Sequence, residues 1–167
     1  MKLFIARHAW AGHYGDRPPA DGSWTHDGER PLTPEGAERC GTLYAALAAR
    51  GFAPEAIATS PLTRCAQTAR IAADAAGVAS VAPLEALAIG ADLDALARWT
   101  NAQRVASACW VGHNPDVERL VAALLGDRSA AVRFAKGSVA ALRFDGGVVE
   151  PGGGELEWHV TAKVVGV

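Results

Sequence analysis

Residues 106–126 read Ala-Ser-Ala-Cys-Trp-Val-Gly-His-Asn-Pro-Asp-Val-Glu-Arg-Leu-Val-Ala-Ala-Leu-Leu-Gly. An apolar run passes into a polar turn, a proline and then a helical pattern. The run Ala106 to Val111 is continuous rather than alternating, which suits a strand buried on both faces, as in a parallel sheet covered by helices. Asn114 offers a side-chain acceptor to the orphan N–H groups of a helix start, and Pro115 loses nothing at the first helical position. Gly126 stands where a left-handed residue would close the helix.

The same order of signals occurs twice upstream. Leu3 to Ala6 and Ala56 to Ala58 are short apolar runs; Thr33-Pro34 and Ser60-Pro61 start helices; Gly51 and Gly77 stop them. In the first helix Ala37, Cys40, Tyr44 and Leu47 share one apolar face. Asp92 to Thr100 predicts a short extra helix, with Leu93, Leu96 and Ala97 on one side. After Gly137 the pattern changes: Val139 to Phe144, a Gly146-Gly147 turn, a loop from Gly152 to Gly154, and Glu155 to Thr161 predict an antiparallel hairpin. The expected fold class is therefore α/β, three layers (α/β/α), with a mostly parallel central sheet and an antiparallel C-terminal strand or hairpin. Residues 1–167 are expected to form a single domain.

Composition narrows the function. Sixteen Lys and Arg against eighteen Asp and Glu leave a net charge of −2, with no global attraction to nucleic acid or an anionic membrane. No apolar run approaches the ~20 residues of a membrane span, and Leu3 to Ala6 is too short for the core of a signal peptide. Cys40, Cys65 and Cys109 are odd in number and far apart, so neither a disulfide framework nor a Cys-x-x-Cys motif can be drawn. They read as small buried residues in a reducing cytoplasm. One connection is unusually long: Trp10 to Arg30, rich in Gly, Pro, Asp, His and Trp, reads as an active-site flap or substrate-facing loop.

Ligands of open parallel sheets bind beyond the carboxyl ends of the strands. At those positions stand Arg7 and His8 after the first strand, Ser60-Pro61-Leu62-Thr63-Arg64 after the second, and Gly112-His113 after the strand ending at Val111. No metal spacing joins them. Arginines offer rigid forks of N–H donors that fit phosphate oxygens, and helix N-termini add backbone donors. The group reads as a phosphate pocket.

At these residues the chain resembles the histidine phosphatase superfamily. Arg7-His8-Ala9 matches its Arg-His-Gly or Arg-His-Ala mark, Ser60 through Arg64 to Gln67 and Thr68 its second motif, and Gly112-His113 its third. Small size, Arg30-Pro31-Leu32-Thr33-Pro34-Glu35-Gly36 and the Gly-His-Asn-Pro run make it most similar to the SixA-type phosphohistidine phosphatases. The resemblance spans roughly residues 1–145, and three motifs in order are far more specific than one. It implies a covalent two-step hydrolysis: His8 attacks phosphorus as the catalytic nucleophile, and water releases the phosphohistidine. Arg7, Arg64 and Arg30 would bind the nonbridging phosphate oxygens, with His113 completing the cradle. Arginine charge favours the neutral, nucleophilic imidazole, and no cofactor or metal is expected. The nearest match to the general acid of larger members is Glu85, in Pro83-Leu84-Glu85-Ala86-Leu87. The Trp10 to Glu29 loop is longer than compact members need.

Structural alternatives stand beside each assignment. His8 and His113 could be histidines satisfied by backbone, and Arg64 a helix-surface ion pair. Arg30 could be a solvated arginine and Glu85 purely structural. His13, Asp16 and His26 lack the spacing of a metal site and read as a polar flap. Trp10 and Trp24 could line the pocket mouth or anchor the loop. Trp110 is expected to pack in the sheet, and His159 to face solvent on the hairpin.

The leading expectation is a phosphatase for phosphohistidine on a protein, for instance a histidine phosphotransfer domain of a signalling relay. The alternatives are a broad-specificity phosphomonoesterase for a small phosphate ester and a non-catalytic phosphate-binding interaction module. Neither nucleic acid nor membrane is expected as a partner.

Overall fold

A computed structural model describes residues 1–13 and 16–167. Its elements are β1 (Lys2–Arg7), α1 (Pro34–Ala48), β2 (Ala56–Thr59), α2 (Thr63–Ala76), β3 (Val81–Pro83), α3 (Leu93–Gln103), β4 (Ser107–Gly112), α4 (Asp116–Leu124), β5 (Val139–Arg143) and β6 (Glu155–Val160). Six strands form one sheet in the order β3-β2-β4-β1-β5-β6. β3, β2, β4 and β1 run parallel, whereas β5 is antiparallel to β1, and β6 to β5. The fold class is the expected one. The short edge strand β3 has no counterpart in the sequence reading, because three residues are too few to show a period.

Continuous apolar runs become strands covered on both sides. Phe4 and Ala6 of β1 join Cys109 and Val111 of β4 in a cluster with Cys40, Leu43, Tyr44 and Leu47 of α1 and Cys65, Ala69 and Ala72 of α2. Leu3 and Ile5 point the other way, with Ala108 and Trp110 of β4, onto Leu96 of α3 and Val117, Leu120 and Leu124 of α4. This alternation with period two gives a sheet sandwiched between two helix layers. Trp110 is fully buried, as expected, and its indole N–H donates to the Thr100 hydroxyl at 2.8 Å. Cys40, Cys65 and Cys109 are free and buried.

The helix boundaries refine the reading. Thr33 caps α1, its hydroxyl accepting from the Gly36 N–H at 3.0 Å, and Gly77 closes α2 at φ +73°. Asp92 caps α3 in the same way through Ala95 N–H. Two expected caps do other work. α2 begins at Thr63, so Ser60 precedes the helix, and α4 begins at Asp116, with the Asn114 amide donating instead to Glu118 Oε1 and the Phe134 carbonyl. Ser60 faces His113 after β4, and Asn114 reaches along α4 to Glu118 and across to Phe134. Among the described residues no helix is long and apolar enough to cross a membrane.

Candidate active site

β1, β2 and β4 run parallel, so their carboxyl ends share one rim. His8 N–H donates to Gly112 O, Ser60 N–H to Val111 O and Arg7 N–H to Ser138 O, each at 3.0 Å, which holds the post-strand residues of three strands side by side. A cavity of about 380 Å³ opens there, lined by Arg7, His8, Arg30, Arg64 and His113, together with Gly12, Ile89, Asn114 and Lys136. The five predicted phosphate-pocket residues therefore meet in space.

His8 is 7% exposed. Its Nδ1 lies 2.7 Å from the carbonyl of Ala9. A carbonyl can only accept, so the ring proton sits on Nδ1 and Nε2 keeps its lone pair. Burial pulls the His8 pKa down to about 3 against the Ala9 bond, which raises it, with added repulsion from His113, Arg64 and Arg7. The imidazole is thus neutral at physiological pH. Ala9 N–H is itself held by the Thr68 hydroxyl at 3.0 Å, and that hydroxyl donates to Arg64 O at 2.7 Å. The second sequence motif thereby fixes the first.

His113 packs beside His8, with ring centroids 5.3 Å apart. Its Nε2 is 2.8 Å from Ser60 Oγ, which also accepts from Leu62 N–H. The same Nε2 lies 3.4 Å from Cys65 Sγ, so Ser60 and Cys65 together hold the ring. Burial and then Arg64 lower the His113 pKa to about 4, against Asp116 and Asp27, which raise it.

The arginines are held by acceptors that leave further donors over. Arg7 donates through Nη1 to Phe134 O at 2.8 Å; Arg64 donates through Nη1 to Asp27 O at 2.8 Å and lies 3.3 Å from Asp27 Oδ2. Arg30 donates through Nε to Asp27 Oδ1 at 2.9 Å and through Nη1 to Ala11 O. The Nε atoms of Arg7 and Arg64 are buried without a partner among the described residues. Buried unpaired donors on cations are costly, and a phosphoryl oxygen is the acceptor their chemistry suits.

Two neighbours escaped the sequence reading. Asp27 lies on a 3-10 turn, Asp27–Glu29, inside the long loop and bridges Arg30 and Arg64. Its i,i+3 spacing to Arg30 was a legible signal, but nothing local linked it to Arg64. Lys136 reaches the pocket because β5 runs antiparallel to β1, pairing Val139 with Ala6. Residues just before β5 therefore share the rim with residues just after β1. Lys136 donates to Gly12 O at 2.7 Å.

Glu85 is not brought to the pocket. It is exposed on a 3-10 turn, Glu85–Leu87, while Ile89 occupies the rim four residues on. The turn buries Leu87 against the Trp110 cluster, which faces Glu85 outward. His159 is half-buried rather than solvent-facing, its ring centroid 4.6 Å from that of Phe134. In the long loop Asp16 Oδ2 accepts from His13 N–H and His26 caps the 3-10 turn through Gly28 N–H. Trp10 packs on the core beneath Arg39, and both Trp10 and Arg39 line a second cavity.

The model of the histidine phosphatase superfamily (branch 1) matches residues 3–88, which carry the first two motifs. An uncharacterized protein of Picosynechococcus sp. is 35% identical over 138 residues, 80% of this chain and 74% of that protein. Among solved structures, the protein histidine phosphatase SixA complexed with tungstate superposes at a TM-score of 0.81 with 26% identity, covering 99% of both chains. The mycobacterial glucosyl-3-phosphoglycerate phosphatase is similar in fold, at a TM-score of 0.65 and 17% identity, over 96% of this chain and 99% of that one. The chain belongs to the histidine phosphatase superfamily.

Proposed function

We propose that this protein removes a phosphoryl group from phosphohistidine on a protein, through a phospho-His8 intermediate, and that residues 1–167 act as one domain. The observation that carries the reading is the tautomer of His8: with Nδ1 donating to Ala9 O, the Nε2 lone pair is available in a pocket of three arginines. In the first step Nε2 attacks phosphorus and the bond from phosphorus to the leaving group breaks. In the second, water attacks phosphorus and Nε2 departs, giving inorganic phosphate. Arg7, Arg30 and Arg64 neutralise the nonbridging oxygens, and a ring N–H of His113 donates to one of them.

Leaving-group chemistry favours phosphohistidine over an alkyl ester. An alkoxide needs a proton from a positioned acid, whereas a phosphoimidazole protonated on its other ring nitrogen leaves as neutral imidazole. Among the described residues the pocket lining contains no carboxyl group. Asp27, the nearest by its contacts, is committed to Arg30 and Arg64, which, outweighing its partial burial, hold its pKa below the usual carboxylate value. The similarity to SixA supports the same reading; the similarity to a glucosyl-3-phosphoglycerate phosphatase keeps a small-ester hydrolase as the second reading. The partner is then a phosphorylated protein such as a histidine phosphotransfer domain in signal transduction. Three free thiols suit a reducing cytoplasm.

The test is phosphate release from a phosphohistidine-bearing phosphotransfer domain, a phosphoserine peptide and an aryl phosphate, with wild type and His8→Ala compared. Preference for phosphohistidine, lost in His8→Ala, is expected. Turnover of the esters alone would move the protein to the small-ester phosphatases, and no turnover of any substrate would leave a binding module. A chelator is expected to leave the rate unchanged.

A further inference from the structure

Beside the His8 pocket lies a second cavity of about 630 Å³, and Lys136 lines both. The segment 133–136 is the wall between them. On the inner side its Phe134 carbonyl accepts from Arg7 and Asn114; on the outer side Arg133 and Ala135 are exposed to the groove. Arg39 from α1 and Lys163, just after β6, complete the other walls.

Four cations thus converge on one groove of a chain whose net charge is −2. No Asp or Glu side chain lines it among the described residues, and none of Arg39, Arg133, Lys136 and Lys163 has a carboxylate within ion-pair distance there. Elsewhere on the surface Arg70, Arg119 and Arg143 are paired with carboxylates, whereas Arg50, Arg98, Arg104 and Arg128 stand without one among the described residues, so what marks the groove is the gathering of four cations in one place. Four like charges sharing one groove repel one another, and an anionic occupant would relieve that repulsion.

The floor of the groove is built. Trp10 carries the Arg39 guanidinium 4.0 Å above its ring, a cation–π contact that orients the fork. Trp10 is seated by two glycines, one against its ring and one against its backbone. A Cβ on Gly137 would stand 3.1 Å from Trp10 Cη2, and one on Gly36 would strike the Trp10 carbonyl and lie 2.9 Å from its Cβ. Groove and pocket also share mechanical parts, since Trp10 is two residues from His8.

We propose that this groove binds a carboxylate-rich segment of the same polypeptide that presents its phosphohistidine to His8. The inference rests on the phosphohistidine reading above. The charge selects anions, and the open groove with exposed Arg39, Arg133 and Lys163 accommodates several carboxylates in succession. On the far rim Ile89, 66% exposed, offers an apolar contact to a macromolecule rather than a polar one to a small ester. Selection would act on KM, because the groove holds parts of the substrate that do not react.

The experiment uses two synthetic peptides, each with one chemically phosphorylated histidine, flanked on both sides by Glu in one and by Gln in the other. An aryl phosphate, the unphosphorylated Glu peptide and a small bisphosphate ester are run beside them. Wild type should cleave the Glu peptide with kcat/KM about tenfold above the Gln peptide at low salt, the sum of several individually weak exposed ion pairs. The preference should shrink as salt screens the groove. In Arg39→Glu/Lys163→Glu it should vanish through KM, with aryl phosphate turnover unchanged and a Lys-flanked phosphohistidine peptide now preferred. The control Arg98→Glu, an exposed change on α3, should keep the preference. Equal cleavage of both peptides by wild type, or a preference that survives the double variant, overturns the proposal. So does a preference for the small bisphosphate that the double variant abolishes, which would make the groove a subsite for a second phosphate.

Failure of the phosphohistidine reading is seen separately, as no cleavage of either peptide while the aryl phosphate is hydrolysed. The groove is then read by competition: inhibition of aryl phosphate turnover by the unphosphorylated Glu peptide, lost in the double variant, sustains it, and no inhibition overturns it.

Discussion

At the scale of single residues, the site is organised by which atom of each side chain is already engaged. His8 spends its Nδ1 proton on Ala9 O and keeps Nε2; His8→Ala should abolish turnover while the thermal midpoint stays near wild type, checked by activity and melting side by side. Arg64→Ala removes a buried donor fork and should lower kcat/KM about 10²–10³-fold. Asp27 makes a subtler prediction. It is the counter-charge of Arg30 and Arg64, so Asp27→Asn should lower stability by about 1–3 kcal/mol, as expected when a partly buried ion pair is broken. Added tungstate or phosphate should then raise the melting midpoint more in this variant than in wild type, because the oxyanion replaces the lost charge. Equal ligand shifts in the two proteins would count against Asp27 as the counter-charge.

At the scale of elements, the rim works because four segments are locked in register. The carboxyl ends of β1 and β4 are adjacent, β5 returns antiparallel to place Lys136 and the Phe134 carbonyl beside Arg7, and α1 is clamped to the segment after His8 through Trp10. Gly36 is the tightest point of this clamp, since a side chain there would meet the Trp10 backbone. Gly36→Ala should cost about 1–3 kcal/mol, read by denaturant unfolding, and should lower activity by displacing the chain that carries His8. At Gly137 the backbone is left-handed at φ +76° as well as crowded by the Trp10 ring, so Gly137→Ala should be destabilising for two independent reasons.

At the scale of the whole molecule, the two histidines tie stability to pH. His8 and His113 have pKa values of about 3 and about 4 in the folded protein, against about 6.5 in the unfolded chain. Between these values the unfolded state binds protons that the folded state refuses, so stability rises with pH. It is fully present above about pH 6.5 and falls as pH drops through that value, by up to about 1.4 kcal/mol per pH unit for each histidine. In phosphate-free buffer the melting midpoint should therefore fall from pH 7.5 to pH 5, and His8→Gln should flatten that fall. For the same reason, protonation of His8 should not limit phosphoenzyme formation between pH 5 and 8.

The layer order was legible in the amino-acid sequence because it rests on local physics. Continuous apolar runs mark doubly covered strands, Thr33-Pro34 and Gly77 mark helix ends, and the residues after parallel strands must share a rim. That logic reached Arg7, His8, Arg64, His113 and, through its motif, Arg30. What local physics could not supply was contact between distant segments. Ser60 and Asn114 read as helix caps from their neighbours, yet one faces His113 and the other Glu118 and Phe134. Glu85 sat in a plausible motif, but the burial of Leu87 two residues on turned it to solvent. Asp27 meets Arg64 across 37 positions of chain, and Lys136 arrives only because β5 pairs antiparallel to β1. The sequence by itself determined which side chains gather at the rim. The tertiary structure decided which acceptors and counter-charges hold them, since those partners are chosen by packing between elements rather than by spacing within them.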